Sequence, residues 1–218
     1  MKKHIITIDG PAAAGKTTIS RSISKELGFL YVDTGAIYRA LALFMKNKMI
    51  DFEDKTKVEE NLFAKIRPKG EKVFLDNKDV SSFIRTEEIS MGASIISSYE
   101  KVRSYLLNVQ RYISLEFDCV FEGRDMGTRV FPEAEFKFYL DADLEIRARR
   151  RFSQLKEIDE NSVYETIYND LKKRDLQDMT RKHSPLKPAP DSVVIDSTSI
   201  DLDQVCEKML KVIRSSIS

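Results

Sequence analysis

One stretch near the start, Gly10-Pro11-Ala12-Ala13-Ala14-Gly15-Lys16-Thr17-Thr18, has the residue types and spacing to hold a chain of phosphates. The pattern is G-x-x-x-x-G-K-[ST], and its surroundings give it meaning. His4 to Asp9 reads as a short buried strand before it, and Ile19 to Leu27, closed by Gly28, as an amphipathic helix after it. Gly10 and Gly15 let the backbone curl so that successive N–H groups point inward and form an anion nest. The helix that follows adds its positive N-terminal end. Lys16 supplies a point charge for β- and γ-phosphates, and a hydroxyl from Thr17 or Thr18 suits Mg²⁺. The stretch predicts nucleotide phosphate binding.

A second set of charged residues asks for a second anion. Arg39 follows one expected strand end and Arg124 another, and guanidinium forks suit phosphate oxygens. Each could also be a solvated surface arginine. In the region 162–182, Val163, Ile167 and Leu171 define the inward face of a helix, and the same face continues as Arg174, Asp178 and Arg181. At 100° per residue those three lie within about 60° of one another. Unpaired charge is too costly to bury in hydrocarbon. Either the three satisfy each other, or they line a cleft for an anion. Arg147, Arg150 and Arg151 share a helical face at i, i+3, i+4, with Arg149 elsewhere. This is either a solvated basic helix or a short lid that closes on a triphosphate.

The elements that must position these groups alternate. Phe29 to Val32 reads as a second strand, and Asp33 or Thr34 caps a helix from Gly35 to about Lys48, with Ile37, Leu41, Phe44 and Met45 at helical spacing. Residues 51–90 are rich in Lys and Glu, with strand, turn and strand over 72–80, and read as a small insertion rather than a separate domain. A helix over 99–117 is followed by a strand at Cys119-Val120-Phe121, a strand from Glu135 to Leu140, and a helix over 143–157 capped by Asp141-Ala142-Asp143. After the helix over 162–182, Pro185, Pro188 and Pro190 mark a loop. Ser192 to Asp196 is the last strand and Asp201 to about Ile217 the last helix. This alternation predicts an α/β fold: a parallel β-sheet flanked by helices, with every strand's C-terminal end on one edge.

The bulk numbers narrow the function. The chain has 218 residues, 42% hydrophobic and 33% charged, which suits one globular domain with its own core. Lys and Arg total 36 against 35 Asp and Glu, so there is no global pull toward nucleic acid or membrane, and any basic patch is local. Cys119 and Cys206 form no C-x-x-C pair and read as core fillers in a reducing compartment. No apolar run approaches 18 residues, and no signal-like segment precedes the first strand. A cytoplasmic location is expected.

Several of these motifs together resemble the bacterial cytidylate kinase family. They are the phosphate loop, Asp33-Thr34-Gly35-Ala36-Ile37-Tyr38-Arg39, Ile84-Arg85-Thr86, Gly123-Arg124-Asp125-Met126-Gly127-Thr128 with Val130-Phe131-Pro132, Arg174-Asp175, and Asp196-Ser197-Thr198. They come in the family's order and span the chain. The resemblance implies a P-loop nucleotide kinase fold with a small monophosphate-binding insertion and a short lid. It divides one domain, 1–218, into a core (1–33, 99–145, 165–218), a monophosphate region (34–98) and a lid (about 146–164). It implies that ATP, with Mg²⁺, phosphorylates CMP and dCMP. Residues 10–18 would hold ATP. Arg39, Arg124 and Arg181 would hold the CMP phosphate, and Arg174 and Asp178 the ribose hydroxyls. Ser94, Arg103 and Asp125 would read cytosine, with Thr34 beside them. Lys16, Arg124, Arg181, Arg150 and Arg151 would act on the transition state, and Thr17 and Glu122 would meet the metal. A monomer is expected on the same ground. The chain departs from the family in Thr17, where many members have Gly, in Thr34, where some have Ser, and in Glu122, where others have Asp.

Overall fold

The computed structural model describes residues 3–157 and 160–217. The chain opens with β1 (Ile5–Asp9), α1 (Lys16–Leu27), β2 (Leu30–Asp33) and α2 (Thr34–Asn47). An insertion follows: α3 (Lys55–Glu60), β3 (Ile66–Lys69), β4 (Lys72–Leu75), β5 (Lys78–Asp79) and α4 (Glu87–Ile96). The chain then returns to the main sheet through α5 (Glu100–Glu116), β6 (Cys119–Gly123) and β7 (Phe136–Asp141). It ends with α6 (Leu144–Lys156), α7 (Tyr164–Thr180), β8 (Val193–Asp196) and α8 (Leu202–Ile217).

The main sheet has the order β2-β6-β1-β7-β8, and every pair in it is parallel. Register brings Asp9 level with Gly123, Asp33 with Glu122, and Asp141 with Asp196, so the polar strand ends share one edge. Side chains alternate across the sheet. Cys119 and Phe121 enter a core shared with α2, α4 and α5, whereas Val120, Ile6, Ile8 and Phe138 enter a second core closed by Ile19 and Ile23 of α1 and by Val205, Met209 and Ile213 of α8. A third, smaller cluster joins Ala148, Ile167 and Leu171 to Ala12 of the phosphate loop.

The helix starts follow local chemistry. The Asp33 side chain accepts from Ala36 N, Asp143 from Glu145 N, and Thr86 from Ile89 N. Gly28 closes α1 in the left-handed region, with φ 69°.

The insertion differs from expectation in extent. The hairpin is present as β4 and β5, but β3 pairs antiparallel with β4 to make a three-stranded sheet. Helices α3 and α4 were not legible from the sequence. Val58, Val73, Leu75, Ile84, Ile89 and Ile96 join the same core as Val32 and Phe121. Val163 also departs from expectation. It is the N-cap of α7 and 56% exposed, because the helix begins one residue later than its apolar pattern suggests. Ile158 and Asp159, inside the expected lid, lie outside the described residues.

Candidate active site

The phosphate loop connects β1 to α1. Gly10 has φ 149°, and a Cβ there would lie 2.0 Å from the Leu140 carbonyl oxygen, so only glycine lets the loop pass this close to β7. Gly15, at φ 97°, caps α1 in a conformation that other residues rarely adopt. Lys16 is buried and its Nζ donates to the Pro11 carbonyl at 2.5 Å. Burial, then Arg124, holds its pKa well below the usual lysine value, with Glu122 opposing them.

Thr17 and Tyr31 both donate to Glu122 Oε1, at 3.0 and 2.9 Å. Glu122 Oε2 is buried with no hydrogen-bond partner. Burial, then Asp33, raises the Glu122 pKa. A buried carboxylate oxygen left unpaired beside a threonine hydroxyl at a phosphate loop fits a hard divalent cation. Among the described residues no group of three acidic, His or Cys side chains could hold a metal alone, so ligand oxygens would complete the shell. Thr17 is the hydroxyl that meets Glu122, and no hydrogen bond from the Thr18 side chain is present among the described residues.

Opposite Lys16 the guanidinium groups converge. Arg124 Nε donates to Asp178 Oδ2 at 2.9 Å, and Arg181 Nη1 to Asp178 Oδ1 at 3.2 Å. Burial pushes the Asp178 pKa up, but Arg124, Arg181 and Arg174 outweigh it and hold it below the carboxylate range. Asp178 thus satisfies Arg124 and Arg181, and Arg174 is not among its hydrogen-bond partners. Among the described residues Arg181 Nη2 and Arg39 Nε have no hydrogen-bond partner. Arg174 makes no ion pair among the described residues, and desolvation, then Arg124, lowers its pKa to about 10. Arg124 and Arg174 both act on Lys16, and Arg39 on Arg174. These groups are near neighbours, and like charges so close call for an anion between them.

The residues expected to read a base lie alongside. Arg103 Nη2 pairs with Asp125 Oδ2, and Arg103 Nη1 donates to Ser97 O at 3.1 Å. The Arg103 guanidinium stands 5.6 Å from the Tyr38 ring centre. Thr34 Oγ1 donates to Glu122 O at 2.6 Å, which ties the start of α2 to the end of β6. Arg39 pairs with Asp33 at 2.9 Å. Ser94 faces α7, and its hydroxyl donates to Gln177 Oε1 at 3.3 Å. A cavity of about 340 Å³ adjoins the Arg103–Asp125 pair, bounded by Tyr38, Gln110, Thr128 and the 182–187 loop.

The basic helix α6 divides its arginines. Arg147 is buried, pairs with Asp175 at 2.5 Å, and donates to Ala12 O and Ala142 O at 3.2 and 2.8 Å. It lies on no solvated face: it fastens α6 and α7 to the phosphate loop. Arg150 donates to Ser197 Oγ and O at 3.1 and 2.7 Å. Burial, then Arg39, lowers the Arg151 pKa, which sets Arg151 toward the acceptor arginines.

Sequence reasoning passed over Asp9, Tyr31 and Asp175 as functional positions, and grouped Arg147 with Arg150 and Arg151 as a solvated face or a lid. Asp9 carried a usable signal, a carboxylate at the buried end of the strand that opens the phosphate loop. The other three depend on partners far along the chain.

A phosphate cradle after a central parallel strand, faced by a guanidinium cluster, defines a P-loop kinase that joins two anionic ligands. The fold agrees. A shikimate kinase from Bacteroides thetaiotaomicron superposes with a TM-score of 0.51 at 10% identity, covering 97% of this chain and 98% of that one. A gluconokinase from Sinorhizobium meliloti superposes with a TM-score of 0.50 at 10% identity, covering 99% and 94%. At the level of sequence the likeness is far closer. The family model for cytidylate kinase matches residues 6–215. The cytidylate kinase of Caldicellulosiruptor bescii is 42% identical over 216 residues, 97% of this chain and 96% of that protein. That of Ureaplasma urealyticum serovar 10 is 39% identical over 220 residues, 100% and 99%. The chain belongs to the cytidylate kinase family.

Proposed function

We propose that this enzyme transfers the γ-phosphoryl group of ATP to the phosphate of CMP or dCMP, giving CDP or dCDP and ADP. The observation that carries the reading is the excess of guanidinium groups facing Lys16. A triphosphate on the loop alone would need only the cradle. The further Arg39, Arg124, Arg174 and Arg181 ask for a second phosphate in front of it.

The attacking atom is an anionic phosphate oxygen, so no strong general base is required. Two anions must be pressed into line, and charge neutralisation is the main task. Arg39, Arg124 and Arg181 hold the acceptor phosphate, and Arg174 and Asp178 the ribose. Lys16, Arg150 and Arg151 act on the migrating group, Arg150 by leaving Ser197. Thr17 and Glu122 would hold Mg²⁺, which screens the β- and γ-phosphate oxygens when bound.

Cytosine offers an amine beside two acceptors. Asp125 accepts from N4, Arg103 donates to N3 and O2, and Ser94 and Thr34 border the base. Uracil sets an acceptor against the carboxylate, and a site built around one hydrogen bond rejects the analogue lacking it. Purines are excluded by size. The enzyme acts as a monomer in the cytoplasm.

A coupled ADP-release assay across CMP, dCMP, UMP, AMP and GMP tests this. CMP and dCMP should be turned over well, UMP poorly and AMP hardly at all. A kcat/KM for AMP comparable to that for CMP refutes the base assignment, and ADP release independent of any monophosphate refutes the kinase reading.

A further inference from the structure

Asp9 is the last residue of β1, with its backbone paired to Gly123 on one side and Tyr139 on the other. Its side chain is 4% exposed. Oδ1 accepts the Met126 N–H at 2.9 Å and Oδ2 the Gly127 N–H at 2.8 Å. These amides open the single helical turn Met126–Val130, where Arg129 N and Val130 N donate back to the Asp125 carbonyl. The first N–H groups of any helical turn lack partners within it. Aspartate is among the residues best suited to cap them from the position just before the turn. Asp125 holds that position, yet its side chain makes no capping bond. Its carboxylate is turned instead to Arg103, with Arg181 4.0 Å away. The turn also lies close on β1: a Cβ on Gly127 would come within 3.1 Å of Thr7 Oγ1.

We propose that Asp9 is a positioning residue that caps the 126–130 turn in place of Asp125, leaving Asp125 free to read the base. The inference rests on the cytidylate reading of the acceptor site. It links the two halves of that site mechanically. The strand that carries the ATP cradle also sets where Arg124 and Asp125 stand, through the Asp9 carboxylate and two peptide N–H groups. Burial raises the Asp9 pKa to about 6. The Gly127 and Met126 amides and, further off, Lys16 pull it down, and Asp125 pushes it up. Tyr139, on the neighbouring strand, feels the Asp9 charge in turn. The carboxylate is therefore ionised at neutral pH, where its two bonds are charge-assisted. Without that charge one of the turn's amides loses its acceptor, and Asp125, at the position just before the turn, is the residue placed to replace it.

The test is the base discrimination of Asp9→Asn, taken as the ratio of kcat/KM for CMP to that for UMP. The amide keeps the side chain's shape and one acceptor oxygen, but turns a donor toward the second N–H. The KM for CMP should rise about tenfold, the worth of roughly one charge-assisted bond. The CMP:UMP ratio should fall severalfold, and the KM for ATP should stay within about twofold. A purely structural aspartate would lower thermal stability or overall activity and leave the ratio unmoved. That result overturns the inference, as does a loss confined to the KM for ATP.

Should Asp9→Asn not fold, the wild type answers by itself. CMP and UMP carry the same phosphate, so its titration cancels in their ratio. Lys16 serves both substrates alike and cancels too. The wild-type ratio should fall as pH drops from 7.5 to 5.5, and a flat ratio overturns the inference. In folded Asp9→Asn the ratio should be low and flat over the same range, and a slope like the wild type's overturns it. A wild type that does not phosphorylate CMP at all would instead sink the functional reading beneath.

Discussion

Lys16 sits in the loop with its ammonium on the Pro11 carbonyl, between Glu122 and the two cations Arg124 and Arg174. Its charge is costly in that position, and the negative charge of a migrating phosphoryl group relieves the cost. Lys16→Met should therefore cut kcat by about a hundredfold or more while the KM for CMP changes only a few-fold, read by steady-state kinetics. A variant with unchanged kcat removes the role. Asp9 offers a second prediction at this scale. Its native pKa of about 6 lies above the 3.8 of an ordinary aspartate, so between those values the folded protein holds the proton more tightly than the unfolded chain. The stabilisation from that proton is full below about pH 4 and gone above about pH 6. Relative to Asp9→Asn, the wild type should lose on the order of 3 kcal/mol between pH 4 and 7, two units at about 1.4 kcal/mol each. Urea unfolding of both proteins across that range measures it. Gly10, Lys16 and Thr17 were legible as a phosphate loop because their spacing is itself the mechanism. Asp9 and Tyr31 were not read as functional because what they do is decided by residues 117 and 91 positions away.

Helices α6 and α7 meet at Arg147 and Asp175, whose side chains are 6% and 9% exposed. Arg147 also takes up the carbonyls of Ala12 and Ala142. Removing one partner of such a pair strands a buried charge and costs about 3–5 kcal/mol. Arg147→Met should thus lower the melting temperature by roughly 10 °C. Adding Asp175→Leu should restore most of it, because two apolar groups leave no charge unpaired. Thermal denaturation of the single and double variants checks both. On the surface of α6 alone, Arg147 is indistinguishable from Arg150 and Arg151, since all lie on one helical face. Only the docking of α7, with its acid 28 residues away, separates the buried fastener from the two arginines that reach Ser197 and the acceptor side. Helices α3 and α4 escaped for a related reason. Both are short, and the run Glu87–Ile96 carries Gly92 and β-branched residues that weaken local helix preference. Their apolar positions gain a helical meaning only against the core they share with α2 and α5.

Across the molecule the apolar mass is uneven. The two faces of the main sheet bury large side chains such as Phe121 and Phe138, whereas among the described residues the α6–α7 cluster buries only Ala12, Ala148, Ile167 and Leu171. Sub-global opening takes the least-packed unit first. In native-state hydrogen exchange, amides of α6 and α7 should exchange well before those of β1, β6 and β7. Equal protection throughout would remove α6–α7 as the least stable unit of the fold. The sequence alone determined the phosphate loop, the alternation of strands and helices, and the supply of arginines. Each of these is written in near neighbours, where a glycine's dihedral freedom, a period of apolar residues or a helix cap is a local property. The tertiary structure alone decided which charges pair and which stay unsatisfied. Asp178 took Arg124 and Arg181, Arg147 took Asp175, and among the described residues Arg174 was left without an ion pair and Glu122 Oε2 without a hydrogen bond. Pairing is a matter of distance in a medium of low polarity, and parallel strands bring together residues that the chain holds a hundred positions apart.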